Sequence, residues 1–259
     1  MNLTAIGVHT FYSFLLIFAR ASGMISVAPV LGNRSLPNAL KAGLALLLSL
    51  ATTPLLEPLA KAVPTDILSL ILQVMSEALL GLVIGYVARA FFAAVEMAGF
   101  LVDTQMGFGF LQLSNPFAEH PASVLGTFQY QLAIVLYLMM NGHLLLMGSL
   151  VDSFRVVVPG GFVPQSGFGM VFVPLLETLL LLCLRIALPA LGVLLVLEIA
   201  FGLMARMVPT LNVFFIGSPA KVIMGLTAIG ILLPAFAIIV GQVMLEGSNG
   251  IGRLLPLAH

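Results

Sequence analysis

"VFVPLLETLLLLCLRIALPALGVLLVLEIAFGLM", residues 171–204, is the stretch that decides the fold. Its only charges are Glu177, Arg185 and Glu198, and leucine is its commonest residue. As one helix it reaches about 51 Å at about 1.5 Å per residue, whereas the hydrocarbon core of a bilayer is about 30 Å thick. Pro189 lies near its middle, where the missing N–H and the ring predict a kink or a break into a hairpin.

The rest of the chain has the same character. Of 259 residues, 61% are hydrophobic and 8% are charged, and the mean hydropathy is +1.18. A soluble domain carries about 25% charged residues, so this chain cannot cover itself with a water-compatible surface. It belongs in a membrane or a membrane assembly. The net charge is zero, which gives no reason to expect nucleic acid or an acidic substrate as a partner. The single cysteine, Cys183, lies inside an apolar run and has no metal-type spacing. There is no Trp to anchor the interfaces. No basic residue precedes Arg20, so the first apolar run lacks a signal-peptide front and is expected to belong to the mature protein.

Seven apolar segments can be read. They cover residues 8–30, 38–56, 67–87, 91–102, 124–151, 171–204 and 222–245. The fourth is short and can continue the third across Ala88, Arg89 and Ala90. "ARMVPTLNVFFIGSPAK", residues 205–221, reads as the loop before the last run, which Pro234 interrupts. "GNRSLPNALKAG" before the second run and "GSPAKVIMG" before the seventh echo each other, but two short matches make no repeat. Segments of such uneven length, with internal prolines, glycines and charges, do not suit lipid-exposed spans. Broken helices are tolerated where neighbouring protein satisfies the freed backbone groups. The fold expected is an all-α membrane protein of helical hairpins, several of them kinked or broken. Lys and Arg are spread over most loops, so charge bias leaves the orientation open.

Arg20, Glu77, Glu96, Glu177, Arg185 and Glu198 are ionisable residues inside apolar segments, which are costly and tend to be functional or paired. Glu77, Gly81 and Gly85 are spaced by four and share one helix face. Gly81 and Gly85 form a GxxxG pair that lets another backbone approach closely. Glu198, Gly202 and Arg206 repeat the spacing. Two readings stand: a proton or ion relay, and ion pairs that fix how helices dock. The acids are scattered, which favours docking. On that reading Arg20, Glu77, Gly81, Gly85, Glu96, Asp103, Arg185, Glu198 and Lys221 are packing positions and polar pins.

"DTQMGFGFLQLSNPFAEHP", residues 103–121, interrupts the apolar pattern with glycines, aromatics, amides and two prolines. Such a segment is either a plain connector or an adjustable apolar seal. Met and Phe exclude water and ions, and glycines let the backbone bend aside. No HExxH, GxSxG, Walker A or strand-to-helix GxGxxG pattern occurs. His9, His120, His143 and His259 lie far apart in sequence. No acid-base or nucleophile-base pair follows from spacing, so neither an enzyme nor a cofactor is expected. A secondary transporter with broken helices round a midplane site would show repeated halves and a clustered polar site. The sequence has neither.

Four blocks resemble a known family. They are "FARASGMISVAPVLGNRSLPNALKAGLAL" (residues 18–46), "SEALLGLVIGYVARAFFAAVEMAGFLVDTQMGFGF" (76–110), "NGHLLLMGSLVDSFRVVVPG" (141–160) and "NVFFIGSPAKVIMGL" (212–226). Together they resemble the FliR family of flagellar biosynthetic proteins, whose counterpart serves virulence type III secretion systems. The resemblance implies a non-enzymatic subunit of a hetero-oligomeric export gate in the bacterial inner membrane, at the flagellar basal body and partly raised toward the periplasm. It implies FliP and FliQ as gate partners, FlhB and FlhA around them, and unfolded flagellar subunits as cargo. Residues 1–259 would form one export-gate domain, with a FliP-like part over about 1–170 and a FliQ-like part over about 171–259. It also implies a pore plug at Met106, Gly107, Phe108, Gly109, Phe110 and Leu111. The alternatives are the virulence counterpart and the transporter.

Overall fold

The computed structural model describes residues 3–33, 35–56, 60, 62–108, 123–162, 168–208, 210 and 212–254. These form seven helices: α1 (Leu3–Val27), α2 (Asn38–Leu56), α3 (Ile67–Met106), α4 (Val124–Met139), α5 (Gly142–Val156), α6 (Phe172–Met207) and α7 (Val213–Leu254). A short 3-10 turn, Phe168–Val171, leads into α6. Among the described residues there is no strand. Five helices are long and apolar enough to cross a membrane, and the broken pair α4–α5 adds a sixth candidate span. The chain is an all-α membrane protein.

The third and fourth apolar runs are one helix of 40 residues, α3. It opens on Asp66, whose carboxylate accepts the Ser69 N–H at 2.9 Å. Hydrogen bonds from the Ser69 hydroxyl and N–H hold this carboxyl below its ordinary pKa. The expected loop at 205–221 is much shorter, because α7 already starts at Val213. Pro37 precedes α2, whereas Pro219 lies inside α7, so the two echoing stretches fold differently. The run at 171–204 does not split into a hairpin, since α6 continues through Pro189. Pro189 removes one backbone hydrogen bond, but no polar turn residues surround it to reverse the chain. The break falls instead inside the fifth run. Asn141 adopts φ 58 between α4 and α5, a left-handed conformation that Asn tolerates better than most residues.

The chain divides into two compact units. The first comprises Met1–Phe91, Asn141–Leu175 and Met244–His259. Here α1 packs on α2, which buries Ala45, Ser49, Thr53 and Leu56 along one stripe. The Ser49 and Thr53 hydroxyls donate back to the carbonyls of Ala45 and Ser49, so the stripe buries no unsatisfied hydroxyl. Helices α1 and α3 run parallel in close contact. Tyr12 donates to Gln73 at 2.6 Å, and further along Gly81 meets Arg20 and Gly85 meets Met24. After α1 the chain turns at Pro29 and Val30, with Val30 at φ 66. The Leu31 N–H donates to the Pro29 carbonyl at 2.8 Å, the hydrogen bond of a γ-turn, which is strained at a β-branched residue.

The second unit comprises Phe92–Met140 and Leu176–Val243. It contains two antiparallel hairpins. In one, the C-terminal half of α3 packs on α4, with Phe92 edge-on to Tyr130 and Tyr137 and Gly99 against Gly126. In the other, α6 packs on α7, with Glu198 against Lys221 and Phe201 against Gly217.

Candidate functional site

Two sets of sequence-selected residues come together, one in each unit. In the first unit Arg20 and Glu77 are completely buried and form an ion pair at 2.6 Å. Each end of the pair is satisfied. Arg20 Nη1 donates to Ser153 Oγ at 3.0 Å and Nη2 to the Val157 carbonyl at 2.9 Å. The guanidinium carbon lies 4.1 Å from the centre of the Phe154 ring, a cation–π contact. The Gly160 N–H donates to the other Glu77 oxygen at 2.8 Å. Gly160 has φ 78, a conformation open to glycine at no steric cost. The pair thus ties α1 and α3 to α5 and the turn after it. Small residues allow the approach: a Cβ on Gly81 would strike the Arg20 carbonyl, and one on Gly23 the Ala78 carbonyl. This arrangement suits a rigid pin. Among the described residues the hydrogen-bond partners of the pair beyond Arg20 and Glu77 themselves, namely Ser153, the Val157 carbonyl and the Gly160 N–H, carry no charge.

In the second unit the polar residues gather where α3 ends and α4 begins. Asp103 is completely buried. Its Oδ2 accepts the Ser123 hydroxyl at 2.8 Å. Ser123 is also the N-cap of α4 and accepts the Gly126 N–H at 2.8 Å. Asp103 and Ser123 therefore fasten the two ends of the segment that carries residues 107–122. Among the described residues Asp103 Oδ1 has no hydrogen-bond partner.

Just before that segment, Met106 is fully buried and packs into a notch left by Gly225 of α7, where a Cβ would crowd the thioether. Its neighbour Gln105 donates to Glu198 Oε2 at 2.6 Å, and Lys221 donates to Glu198 Oε1 at 3.1 Å. Gly107 then closes α3 at φ 95 with its N–H on the Thr104 carbonyl, as at many helix ends. Gly107 is exposed and Phe108 is half-buried. Gly109, Phe110 and Leu111 lie outside the described residues.

The other selected residues stand apart from both sets. Glu96 is exposed, although its carbonyl lies where α3 meets Gly126. Arg185 is exposed on α6. Among the described residues no group of three His, Cys, Asp or Glu side chains could hold a metal ion.

The model of a family described as bacterial export proteins, family 1, matches residues 11–247. This chain belongs to the FliR family of bacterial export proteins. It is 34% identical to the flagellar biosynthetic protein FliR of Escherichia coli (strain K12), covering 84% of this chain and 83% of that protein. Against FliR of Bacillus subtilis (strain 168) the identity is 27% over 96% and 97% of the two chains. The Yop proteins translocation protein T of Yersinia pestis is 30% identical over 81% of each chain, so relatives include a secretion protein as well as flagellar ones.

Sequence reasoning did not find several of the residues that complete these sites in this FliR-family chain. Ser153, Val157 and Gly160 satisfy the Arg20–Glu77 pair from the far side of the sequence, and a lone serine or carbonyl carries no periodic signal. Ser123 could have been found, because a Ser two residues after Pro121 and just before an apolar run is a helix-start pattern. Gln105 and Gly225 gain meaning only from tertiary contact.

Proposed function

We propose that this chain is a non-enzymatic subunit of the flagellar type III export gate. On this reading it sits in the inner membrane at the flagellar basal body, partly raised toward the periplasm. FliP and FliQ are its gate partners and FlhB and FlhA its neighbours, and unfolded flagellar subunits pass through. Residues about 1–170 correspond to the FliP-like part and about 171–259 to the FliQ-like part. Met106, Gly107, Phe108, Gly109, Phe110 and Leu111 form the pore plug. The named relatives support the flagellar assignment, and the secretion relatives keep the virulence counterpart as the second reading.

The observation that carries the gate reading is how the 107–122 segment is rooted. A plug that must hold back ions yet move aside needs a fixed base and a compliant stem. Asp103 on Ser123 fastens the base, and buried Met106 against Gly225 locks the last turn of α3. Gly107, exposed at φ 95 and with no described residue within 4 Å of where a Cβ would stand, supplies the stem. Apolar side chains held there would close a pore by excluding water.

The test is deletion of residues 107–111 in the assembled complex. Ion conductance should rise across membranes that carry the complex, while the yield of complex stays at the wild-type level. An intact seal after the deletion would show that the segment is only a connector.

A further inference from the structure

Gly217, Lys221 and Gly225 are spaced by four and so stand on three successive turns of one face of α7. In the second unit each of the three has its own occupant. Phe201 of α6 lies against Gly217. Glu198 of α6 pairs with Lys221 at 3.1 Å. At Gly225 the occupant is Met106, from the last turn of α3. One face of α7 therefore seats both α6 and the end of α3.

Glu198 joins the two seats. One of its oxygens accepts from Lys221 at 3.1 Å and the other from Gln105 Nε2 at 2.6 Å. An ion pair between α6 and α7 needs only the first of these. The second ties the α6–α7 hairpin to the residue beside Met106, and a carboxylate that accepts an amide N–H makes a charge-assisted hydrogen bond, stronger than a neutral one. The Lys221 side chain is only 21% exposed, and its ammonium on the first oxygen limits where the second can point.

The two contacts at the end of α3 constrain different motions. Met106 in its notch sets how closely α3 lies on α7. It does not set the roll of the last turn, because a thioether side chain is flexible and apolar burial is non-directional. The Gln105–Glu198 hydrogen bond is directional. It sets the roll, and with it the direction in which Gly107 and Phe108 follow from the helix.

We propose that Glu198, held by Lys221, is a positioning residue for the plug: it fixes the roll of the last turn of α3 and so aims Gly107 and Phe108. The inference rests on the plug reading of the segment that Met106 begins. On this account the base stays clasped to the α6–α7 hairpin during export, and the bending occurs beyond it at Gly107.

The experiment uses the full chain in the assembled complex, with ion conductance per complex as the readout and the deletion of residues 107–111 as the reference. If that deletion leaves the membrane sealed, the plug reading fails and takes this inference with it. Where the deletion leaks, Gln105→Glu sets a second carboxylate against Glu198 and should raise resting conductance about fivefold or more. In the double variant Gln105→Glu with Glu198→Gln, amide and carboxylate trade places. The amide at position 198 turns its oxygen to Lys221 and its N–H to position 105, and conductance should return to the wild-type level. Yield of complex and thermal midpoint should match wild type in both variants, since neither side chain is fully buried. A second measurement joins Gln105→Cys to Glu198→Cys with a short bifunctional thiol reagent in a Cys183→Ala chain. The joined complex should be sealed and should still export. A wild-type seal in Gln105→Glu, or a leak that the double variant does not reverse, overturns the proposal. So does a leak that comes with an equal loss of thermal midpoint, which would make Glu198 a folding pin only. Export blocked by the cross-link would also overturn it, because the base would then have to move.

Discussion

The Arg20–Glu77 pair sets a condition on both of its members. Removing a charged pair altogether and filling the space with apolar side chains is often neutral, but removing one member strands a buried charge at a cost of about 3–5 kcal/mol. Arg20 is fully buried, and its other two partners, Ser153 and the Val157 carbonyl, are uncharged. Glu77→Ala should therefore lower the thermal midpoint of the detergent-solubilised chain and the yield of complex by far more than a surface change. Combining Glu77→Leu with Arg20→Met should recover much of that loss, because the apolar pair leaves no charge behind. Export per assembled complex should stay near wild type in Glu77→Ala. A variant that assembles normally yet loses export would turn Glu77 from a pin into a relay.

At the scale of elements, the α1–α3 contact is decided by atoms that are absent. Gly81 lies against the Arg20 carbonyl and Gly23 against the Ala78 carbonyl, and a backbone carbonyl cannot swing aside as a side-chain tip can. Gly81→Ala must push the two helices apart and should destabilise the chain even though Ala is the better helix former. Gly43 in α2 has open space where its Cβ would go. Gly43→Ala should be neutral or stabilise by up to about 1 kcal/mol. Thermal midpoints of both variants check the contrast, and equal effects would mean that the helices are not in close contact. The GxxxG spacing in Gly81 and Gly85 is visible in the sequence, and so is the membrane character of every helix, because both are periodic and local. The opposite partner of that stripe was not visible, since Gly23 lies in a different run with no spacing to connect it. The choice between a kink and a hairpin at Pro189 stays open in the sequence for the same reason. Proline marks a lost hydrogen bond, but whether a helix breaks there depends on neighbours that a single run does not contain. The break at Asn141 lay within a run read as continuous, because apolar content on both sides hid one left-handed residue.

At the scale of the molecule, length and exposure together pose the question of what covers the long helices. Helices α3 and α7 have 40 and 42 residues and reach about 60 Å at about 1.5 Å per residue, roughly twice a bilayer core. A straight helix of that length cannot lie wholly in hydrocarbon unless it is steeply tilted. Yet apolar side chains are exposed along much of both, from Ile67, Leu68, Ile71, Leu72 and Met75 to Met97 on α3, and from Phe215 to Leu245 on α7. Water does not favour that surface, so what lies beyond the lipid must be covered by protein. Single-cysteine variants at Leu68, Leu72, Met97, Ile223 and Ile238, made in a Cys183→Ala chain, can report the cover. A maleimide should label those that lie beyond the lipid in the chain expressed alone, because only water-exposed thiols ionise and react. Co-expression with the partner subunits should protect most of them, on both long helices. Lipid cover would leave labelling unchanged by the partners, because thiols held in hydrocarbon stay protonated and react little with a maleimide in either state. Unchanged labelling at all five positions would mean that these helices complete themselves in the bilayer, and a self-sufficient transporter would then account for the chain better than a gate subunit.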